Sequence, residues 1–277
     1  MLAAIDIGNT NIVVGVYLGS LLQCRLRFRT ERKATVDEIG HWITALLKHH
    51  DISKEQINDV CISSVVTQLD RIFAESCERY LGRKPLWVKQ ELKPNMPLLV
   101  DRPDELGADR LVTAYAAYRQ FGGPSIIVDL GTATTFDVVS GEGEYLGGAI
   151  APGLEIASEA LFQSASKLSR VPLEHPARMI GKNTEEHLQI GLVQGYACLI
   201  DGLVKAMQNE LSVPAQVIAT GGLAPFMKQA SKTIQMVEPD LTLSGLCLLY
   251  QEYQSGTRDS FISNRFECIV GSQAATC

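Results

Sequence analysis

Two short segments of this chain resemble each other, and each lies between two apolar runs that are typical of β-strands. The first segment reads Asp6-Ile7-Gly8-Asn9-Thr10-Asn11 and the second reads Asp129-Leu130-Gly131-Thr132-Ala133-Thr134. A strand, a turn of glycine and short polar residues, and a second strand predict a β-hairpin whose backbone N–H groups can bind an anion beside a carboxylate. The repeat therefore predicts two similar domains, each of which binds part of the phosphate chain of one nucleotide.

The composition is that of an ordinary globular protein. The chain has 277 residues, of which 46% are hydrophobic and 20% are charged, so we expect one large or two modest domains with a proper core. A net charge of −6 and the lack of a basic run argue against binding to nucleic acid. No uninterrupted apolar stretch reaches the roughly 18–20 residues that span a bilayer, so we expect no association with a membrane.

The start of the chain and its cysteines indicate the compartment. The chain enters an apolar, strand-like run at once, without the basic region and cleavage site of a signal peptide. The seven cysteines are an odd number, are widely spaced and include no C-x-x-C pair. This pattern is typical of reduced thiols that are buried as small apolar side chains. We therefore expect a cytoplasmic protein.

Hydrophobic spacing divides the chain into two parts with a similar order of elements. The first part predicts three strands, a helix, a strand, a second helix and a short strand, followed by a proline-rich loop and a helix that ends near Phe121. The same scheme begins again at Ser125. We predict an N-terminal domain over 1–121, a C-terminal domain over 122–254 and a loosely ordered tail over 255–277.

An acid followed by an arginine lies just after the proline-rich loop, in the segment Gly107-Ala108-Asp109-Arg110. An acid in the first turn of a helix is favoured by the helix dipole, by about 0.3–1 kcal/mol, which alone could explain Asp109. The functional interpretation is that Asp109 accepts the proton of a hydroxyl group while Arg110 holds an anionic group of the substrate. This segment by itself leaves both interpretations open.

The second hairpin carries an acid where a buried strand ends. Asp129 directly follows the apolar run Ile126-Ile127-Val128. A carboxylate in such a place is costly unless a cation or hydrogen-bond donors meet it, which makes Asp129 a candidate ligand for a cation. The alternative is that Asp129 merely caps a turn. The chain has no Walker motif and no cluster of histidines or cysteines with metal-ligand spacing, so a nucleotide would be bound without a P-loop.

Taken together, the motifs resemble those of a known family. The sequence contains, in order, D-I-G-N-T-N at 6–11, G-A-D-R at 107–110, D-L-G-T-A-T-T at 129–135, G-G-A-I-A-P-G at 147–153 and T-G-G at 220–222. This series resembles the type III pantothenate kinases, which belong to the superfamily of acetate and sugar kinases and actin-like ATPases. The resemblance implies an α/β fold of two duplicated ribonuclease-H-like domains, each a mixed five-stranded sheet flanked by helices.

The resemblance also implies an activity and a set of site residues. The activity is the ATP-dependent phosphorylation of pantothenate to 4′-phosphopantothenate, the first step of coenzyme A biosynthesis, by a homodimer. The residues implied for ATP are Asp6, Ile7, Gly8, Asn9, Thr10, Asn11, Ile12, Val13 and Thr132. Those implied for pantothenate are Gly107, Ala108, Asp109, Arg110 and Thr184, with Asp109 as the catalytic proton acceptor. Asp129 would bind a monovalent cation, K⁺ or NH₄⁺, and Asp6 would hold Mg²⁺ through water.

One position departs from the family pattern, and two other functions remain open. The family often has an aromatic residue ahead of the acid in the loop before G-A-D-R, where this chain has Val100, a residue that we expect to line the pantothenate pocket. One alternative is another small-molecule kinase of the same superfamily, although such an enzyme does not need an arginine directly after its catalytic acid. The other is a non-catalytic accessory factor for transcription, against which the intact acids Asp6, Asp109 and Asp129 argue.

Overall fold

The computed structural model describes the backbone of residues 1–271 and the side chains of residues 1–256. The strands of the first half are β1 (Leu2–Ile7), β2 (Asn11–Leu18), β3 (Leu21–Arg29), β4 (Asp59–Ser64) and β5 (Leu86–Trp87). Those of the second half are β6 (Ser125–Leu130), β7 (Ala133–Val139), β8 (Tyr145–Pro152), β9 (Gln216–Thr220) and β10 (Met236–Val237). The helices are α1 (Val36–His49), α2 (Thr67–Ser76), α3 (Ala108–Phe121), α4 (Leu154–Ser164), α5 (Thr184–Gln189), α6 (Gly195–Leu211), α7 (Ala224–Lys228) and α8 (Leu241–Gly271).

The strands form two five-stranded sheets that repeat one another. The first has the order β3-β2-β1-β4-β5, and the second has the corresponding order β8-β7-β6-β9-β10 when read in the same sense. In each sheet the first three strands are antiparallel and the last two are parallel to the central one. The predicted fold class, two duplicated mixed sheets flanked by helices, is confirmed.

Both predicted hairpins form, and they close in the same way. In the first, the last pair before the turn joins Ile7 of β1 to Ile12 of β2. In the second, the last pair joins Leu130 of β6 to Thr134 of β7. Since side chains alternate between the two faces of a strand, this register places Asp6 and Asp129 on the face opposite to these terminal pairs.

Each sheet buries one face against helices. In the first sheet, buried Ile5, Ile12 and Val14 pack in a core to which α1 and α2 contribute. Helix α1 begins with a capping box, in which Thr35 and Glu38 bind each other's backbone N–H. In the second sheet, buried Val128 and Phe136 belong to a core to which α6 contributes.

The chain divides into two compact units whose limits differ from the predicted domains. One unit contains residues 1–94 and 243–277, and the other contains residues 95–242. Helix α3, which follows the first sheet in the sequence, belongs to the second unit and contacts β6 and β7. Helix α8, which follows the second sheet, belongs to the first unit, where the hydroxyl of Tyr250 donates to Asp59 at 2.6 Å. The domain limits at 121 and 254 stay a prediction from the sequence.

Helix α8 continues past residue 254, where the predicted C-terminal domain ends. Its backbone remains helical as far as Gly271. The loosely ordered tail predicted over 255–277 falls largely on residues whose side chains lie outside the described set, and residues 272–277 lie outside it altogether.

One helical segment, Thr184–Leu211, is long and apolar enough to cross a membrane by length and composition. It consists of α5, α6 and the π-helical turn Ile190–Gln194 that joins them. Its residues Tyr196, Ile200 and Val204 are buried in the core of the second unit. Because a core helix passes the same test of length and composition, this segment is weak evidence for a membrane span.

Candidate active site

The first hairpin turn is fixed by backbone and side-chain hydrogen bonds. The N–H of Gly8 donates to the carbonyl of Asn11 at 3.1 Å, and a Cβ on Gly8 would lie 2.9 Å from that same oxygen. Thr30, which follows β3, braces the turn from the side: its hydroxyl donates to the carbonyl of Gly8 at 2.6 Å, and its N–H donates to the carbonyl of Thr10 at 2.9 Å. With both carbonyls held, the exposed Asn9 and Thr10 project from a turn of defined shape.

Asp6 lies half-buried at the end of β1, between two neighbouring strands. It pairs with Val13 on β2 and with Ser63 on β4. The hydroxyl of Ser63 is fully buried and has no hydrogen-bond partner within the described part of the chain. An orphaned buried hydroxyl beside a carboxylate is the signature of a place where a water or an ion completes the hydrogen bonding.

The second hairpin repeats this arrangement of a polar turn and a carboxylate at the end of a strand. The N–H of Gly131 donates to the carbonyl of Ala133 at 3.1 Å, and Thr132 is exposed at the tip. The half-buried Asp129 pairs with Thr135 on β7 and with Thr220 on β9. The predicted carboxylate at the end of a buried strand is therefore present, and the Thr220-Gly221 turn follows directly beside it.

Gly221 approaches the carboxylate of Asp129 closely. Its φ is +88°, and a Cβ at this position would lie 2.5 Å from Oδ1 of Asp129 and 2.7 Å from the carbonyl oxygen of Leu130. Only glycine fits such a conformation at so close an approach. A carboxylate oxygen and a carbonyl oxygen thus lie close together beside Gly221, and both are hard oxygen atoms of the kind that ligate cations.

The Gly107–Arg110 segment forms the start of α3. Gly107 is the N-cap residue, and Asp109 lies in the first turn, half-buried. One carboxylate oxygen of Asp109 accepts a hydrogen bond from the N–H of Arg110 at 2.7 Å. The helix start therefore holds Asp109 and Arg110 next to each other within the second unit, as predicted.

Arg110 makes a buried ion pair that the sequence analysis did not anticipate. Its Nε atom donates to Oδ1 of Asp137 at 2.9 Å, its Nη2 atom forms an ion pair with the same oxygen at 2.8 Å, and the hydroxyl of Tyr145 also donates to that oxygen, at 2.6 Å. Burial raises the pKa of Asp137, whereas Arg110 and Tyr145 act in the opposite direction. Burial opposes the charge of Arg110, but the adjacent Asp137 outweighs it and the pKa of Arg110 is raised. Arg110 is therefore a permanent cation.

The glycine-rich segment at 147–153 allows close packing of its backbone against neighbouring strands and turns. A Cβ on Gly148 would lie 1.7 Å from the carbonyl oxygen of Phe136, and one on Gly153 would lie 2.2 Å from that of Thr132. Gly153 is also the N-cap residue of α4. These glycines let β8 approach β7, and let the start of α4 approach the tip of the second hairpin.

Two further predicted residues lie in separate places in the second unit. Val100 is half-buried and approaches β8, with its Cγ1 atom 3.7 Å from the position of a Cβ on Gly147. Thr184 is exposed at the start of α5, after Asn183, whose side chain caps that helix by accepting from the N–H of Glu186 at 2.9 Å. No hydrogen bond joins Thr184 to the segment 107–110 among the residues that the structure describes.

Three residues that matter to this geometry were missed in the sequence: Thr30, Asp137 and Tyr145. Only Asp137 carried a readable signal, since it is an acid inside the apolar run Phe136–Val139, where a buried carboxylate requires a partner of opposite charge. Thr30 and Tyr145 are ordinary strand residues in the sequence, and only the fold shows what their hydroxyls bind.

The described residues include no group of three or more histidine, cysteine, aspartate or glutamate side chains that could hold a metal ion by themselves. Asp6 beside the orphaned Ser63 hydroxyl offers a single carboxylate and a hydroxyl. That set does not bind Mg²⁺ alone, but it fits an ion that keeps its waters and is carried by the phosphates of a nucleotide.

Solved structures confirm the fold. A putative Baf family transcriptional activator from Campylobacter jejuni superposes with a TM-score of 0.60 at 17% identity, covering 91% of this chain and 99% of its own. A ROK family glucokinase from Streptomyces griseus, solved with glucose and AMPPNP, superposes with a TM-score of 0.52 at 12% identity, covering 90% of this chain and 98% of its own. The duplicated sheets with a polar hairpin turn in each place this protein among the ribonuclease-H-like, actin-like ATPase folds.

Sequence relatives identify the family within that class. The sequence profile described as type III pantothenate kinase matches residues 2–206. A type III pantothenate kinase from Desulfatibacillum aliphaticivorans is 48% identical over 251 residues, which cover 90% of this chain and 98% of the relative. Another type III pantothenate kinase, from Moorella thermoacetica, is 45% identical over 91% of this chain and 99% of the relative. The chain belongs to the type III pantothenate kinase family.

Proposed function

We propose that this protein transfers the γ-phosphoryl group of ATP to the primary hydroxyl of pantothenate, giving ADP and 4′-phosphopantothenate, the first step of coenzyme A biosynthesis. The observation that carries the proposal is the start of α3, where Asp109 and Arg110 lie side by side in a chain of this family. A phosphoryl acceptor with a hydroxyl at one end and a carboxylate at the other matches an acid followed by a fixed cation.

Asp109 is the proposed proton acceptor. It would hydrogen-bond the primary hydroxyl of pantothenate, hold its oxygen in line with the γ-phosphorus, and take the proton as the new P–O bond forms and the bond to ADP breaks. Phosphoryl transfer needs mainly alignment and charge neutralisation from the protein. Asp109 is half-buried, so the residue as a whole remains partly exposed to solvent.

Arg110 is proposed to bind the carboxylate of pantothenate, far from the reacting atoms. Gly107 and Ala108 would contact the substrate through the backbone at the helix start, Val100 would line the pocket beside β8, and Thr184 would add a hydroxyl contact. The family's frequent aromatic residue is replaced here by the smaller Val100, which would leave this side of the proposed pocket wider.

The first hairpin turn is proposed to bind the phosphates of ATP through residues 6–13, and Thr132 of the second turn is proposed to contact ATP as well. The braced shape of the first turn supports this role. Mg²⁺, when bound with ATP, would neutralise phosphate charge, and Asp6 would hold it through water.

Asp129 is proposed to bind a monovalent cation, K⁺ or NH₄⁺. The support is the pair of oxygen atoms beside Gly221, since a carboxylate oxygen of Asp129 and the carbonyl oxygen of Leu130 lie 2.5 and 2.7 Å from the position of a Cβ on Gly221. The cation, when bound, would supply positive charge near the phosphates. No lysine of the hairpin turns could do so, because neither turn contains one.

We also propose that the protein is a cytoplasmic homodimer. Strand β8 is the last strand of its sheet, and it exposes Ile150 at 67%. The following helix α4 exposes Ile156 at 48% and Leu161 at 37%. Exposed apolar side chains next to a sheet edge are typical of a surface that pairs with a second copy. Sedimentation of the purified protein would distinguish a dimer from a monomer.

An ADP-release assay tests the proposed activity. Purified protein with ATP and Mg²⁺ is assayed with and without pantothenate, in K⁺ and then in Na⁺ buffer. ADP release that requires both pantothenate and K⁺ would support the kinase and its cation site together. Release without pantothenate would indicate an ATPase or a different acceptor, and no release under any condition would favour the non-catalytic accessory factor.

A further inference from the structure

Asp137 is a buried carboxylate with no role in the chemistry proposed above. Its side chain is 1% exposed, in the middle of β7. Its neighbours Phe136 and Val138 turn to the opposite face and pack in the core of the second unit. An ionised carboxylate in such a place is strongly unfavourable unless each oxygen has a partner.

Three side chains satisfy this carboxylate, and they come from three different elements. Arg110 on α3 and Tyr145 at the start of β8 donate to Oδ1, at 2.9 Å and at 2.6 Å, and Nη2 of Arg110 lies 2.8 Å from the same oxygen. Thr135 on β7 donates to Oδ2 at 3.3 Å. Because the donors are anchored in separate elements, the orientation of the carboxylate is fixed, and so is that of the guanidinium.

The guanidinium of Arg110 is held along one edge and free along the other. Nε and Nη2 bind Asp137, and Nη2 also approaches the carbonyl oxygen of Phe136 at 3.4 Å. A Cβ on Gly148 would lie 3.2 Å from Nη2, so glycine at that position leaves room for the group. Nη1 has no hydrogen-bond partner within the described residues, and the Arg110 side chain is 18% exposed. One edge thus remains available to a ligand.

We propose that Asp137 is a positioning residue for pantothenate: supported by Tyr145 and Thr135, it fixes Arg110 so that the free edge of the guanidinium meets the substrate carboxylate. This inference rests on the proposed function and deepens it. Asp137 touches neither the substrate nor the reacting atoms, so it acts through Arg110. Its effect therefore falls on the binding of pantothenate and on the preference for an acidic over a neutral substrate.

A purely structural role for the ion pair makes a different prediction. If Asp137 only neutralised a charge that folding had buried, its loss would lower the amount of folded enzyme and affect every substrate equally. If it positions Arg110, its loss would weaken the recognition of a carboxylate while sparing ATP. The two roles are therefore separated by comparing pantothenate with pantothenamide, in which the carboxylate is a neutral primary amide.

The test measures kcat and KM for pantothenate, pantothenamide and ATP in the wild type, Asp137→Asn and Asp201→Asn. Asp201 is a matched control, because this acid of the same unit accepts several hydrogen bonds, from Ser231, Lys232 and Thr233, and none from the residues around Arg110. We expect Asp137→Asn to raise KM for pantothenate by roughly tenfold or more, to leave KM for ATP unchanged, and to reduce the preference for pantothenate over pantothenamide. Asp201→Asn should leave that preference unchanged.

Two further variants keep the test decisive if Asp137→Asn folds poorly. Tyr145→Phe removes one donor to Asp137 and keeps the ring, so it should shift the same preference in the same direction by a smaller factor. Arg110→Lys should abolish the preference, and adding Asp137→Asn to it should cause no further loss of preference, because the two residues act as one unit.

The outcomes separate the inference from the proposed function. An active wild type in which Asp137→Asn and Tyr145→Phe retain the full preference for pantothenate, while Arg110→Lys loses it, would overturn the positioning role alone. A wild type that releases no ADP with pantothenate would overturn the proposed function, and the inference with it.

Discussion

Gly221 lies so close to Asp129 that a single added carbon would collide with the carboxylate: a Cβ would be 2.5 Å from Oδ1. The two residues come from neighbouring parts of one sheet, since Asp129 on β6 pairs with Thr220 at the end of β9. The turn after β9 therefore packs directly against the carboxylate of the candidate cation site.

Replacing this glycine should damage both stability and cation dependence. Gly221→Ala introduces a side chain at a φ of +88° and displaces Asp129, so we expect a loss of about 2 kcal/mol or more in the free energy of unfolding. We also expect a reduced activation by K⁺ relative to Na⁺. Thermal unfolding and assays in both salts measure the two effects. Gly202→Ala is the control, because Gly202 lies in α6 with open space around it. This variant should lower neither the free energy of unfolding nor the activation by K⁺.

Removal of the carboxylate at the same site should act on the cation alone. Asp129→Ala takes away the charged ligand of the proposed site, so turnover in K⁺ should fall to the level seen in Na⁺. The measurement is the ratio of kcat in the two salts. A variant that K⁺ still stimulates to the wild-type extent would rule out Asp129 as the cation ligand.

The proposed proton acceptor should affect turnover and not folding. Asp109→Asn keeps the size of the side chain and its place in the first turn of α3, but it cannot accept a proton. We expect kcat to fall by roughly 100-fold or more, with ATP binding and the thermal midpoint close to those of the wild type. Calorimetric titration with ATP and a circular-dichroism melt provide these controls, and a near-normal kcat would eliminate this role.

The hydrogen bond from Thr30 to the first hairpin turn should affect the binding of ATP. Thr30→Val removes the hydroxyl that donates to the carbonyl of Gly8, and one hydrogen bond contributes about 0.5–1.5 kcal/mol. If the turn binds phosphates, KM for ATP should rise by roughly three- to tenfold while KM for pantothenate stays constant. Thr44→Val is the control, because the Thr44 hydroxyl also donates to a carbonyl, that of Gly40, but within α1. Equal effects of the two variants on KM for ATP would contradict the claim that the Thr30 hydroxyl holds the first hairpin turn in shape for phosphate binding.

Asp201 should make the stability of the second unit depend on pH. Partial burial tends to raise the pKa of Asp201, but hydrogen bonds from Ser231, Lys232 and Thr233 outweigh burial and lower it. Since the folded state then binds its proton less readily than the unfolded state, this stabilisation is present at neutral pH and is lost as the pH falls through the lowered pKa. Urea unfolding between pH 7 and acidic pH should show a smaller loss of stability in Asp201→Asn than in the wild type.

Local sequence pattern was enough to predict the parts of the fold that depend on neighbouring residues. Apolar runs on either side of a polar turn predicted both hairpins, and the repeated order of strands and helices predicted the duplicated sheets. The edge strands were less well defined: the short strand predicted before the proline-rich loop is only Leu86–Trp87, and the corresponding strand of the second sheet is only Met236–Val237. A two-residue strand has too few alternating positions to set its limits.

Features that depend on distant residues could not be predicted in this way. Arg110 and Asp137 are 27 positions apart, and their pairing requires both the placement of α3 on the second sheet and the register of β7. The exchange of α3 and α8 between the two compact units likewise depends on packing, since each helix reads as the end of the half that precedes it. The site motifs were visible in the sequence, but of the residues that support them only Asp137 carried a signal, and its partner could not be read from the sequence.

The measurement that tests the central claim most directly is the identification of the phosphorylated product. Purified protein is incubated with ATP, Mg²⁺, K⁺ and pantothenate, and the products are analysed by phosphorus NMR and mass spectrometry, with Asp109→Asn in parallel. The account predicts that ADP and 4′-phosphopantothenate appear in equal amounts, with the phosphoryl group on the primary hydroxyl, and that the variant forms little of either. Inorganic phosphate with unmodified pantothenate, or wild-type yield from Asp109→Asn, would contradict it.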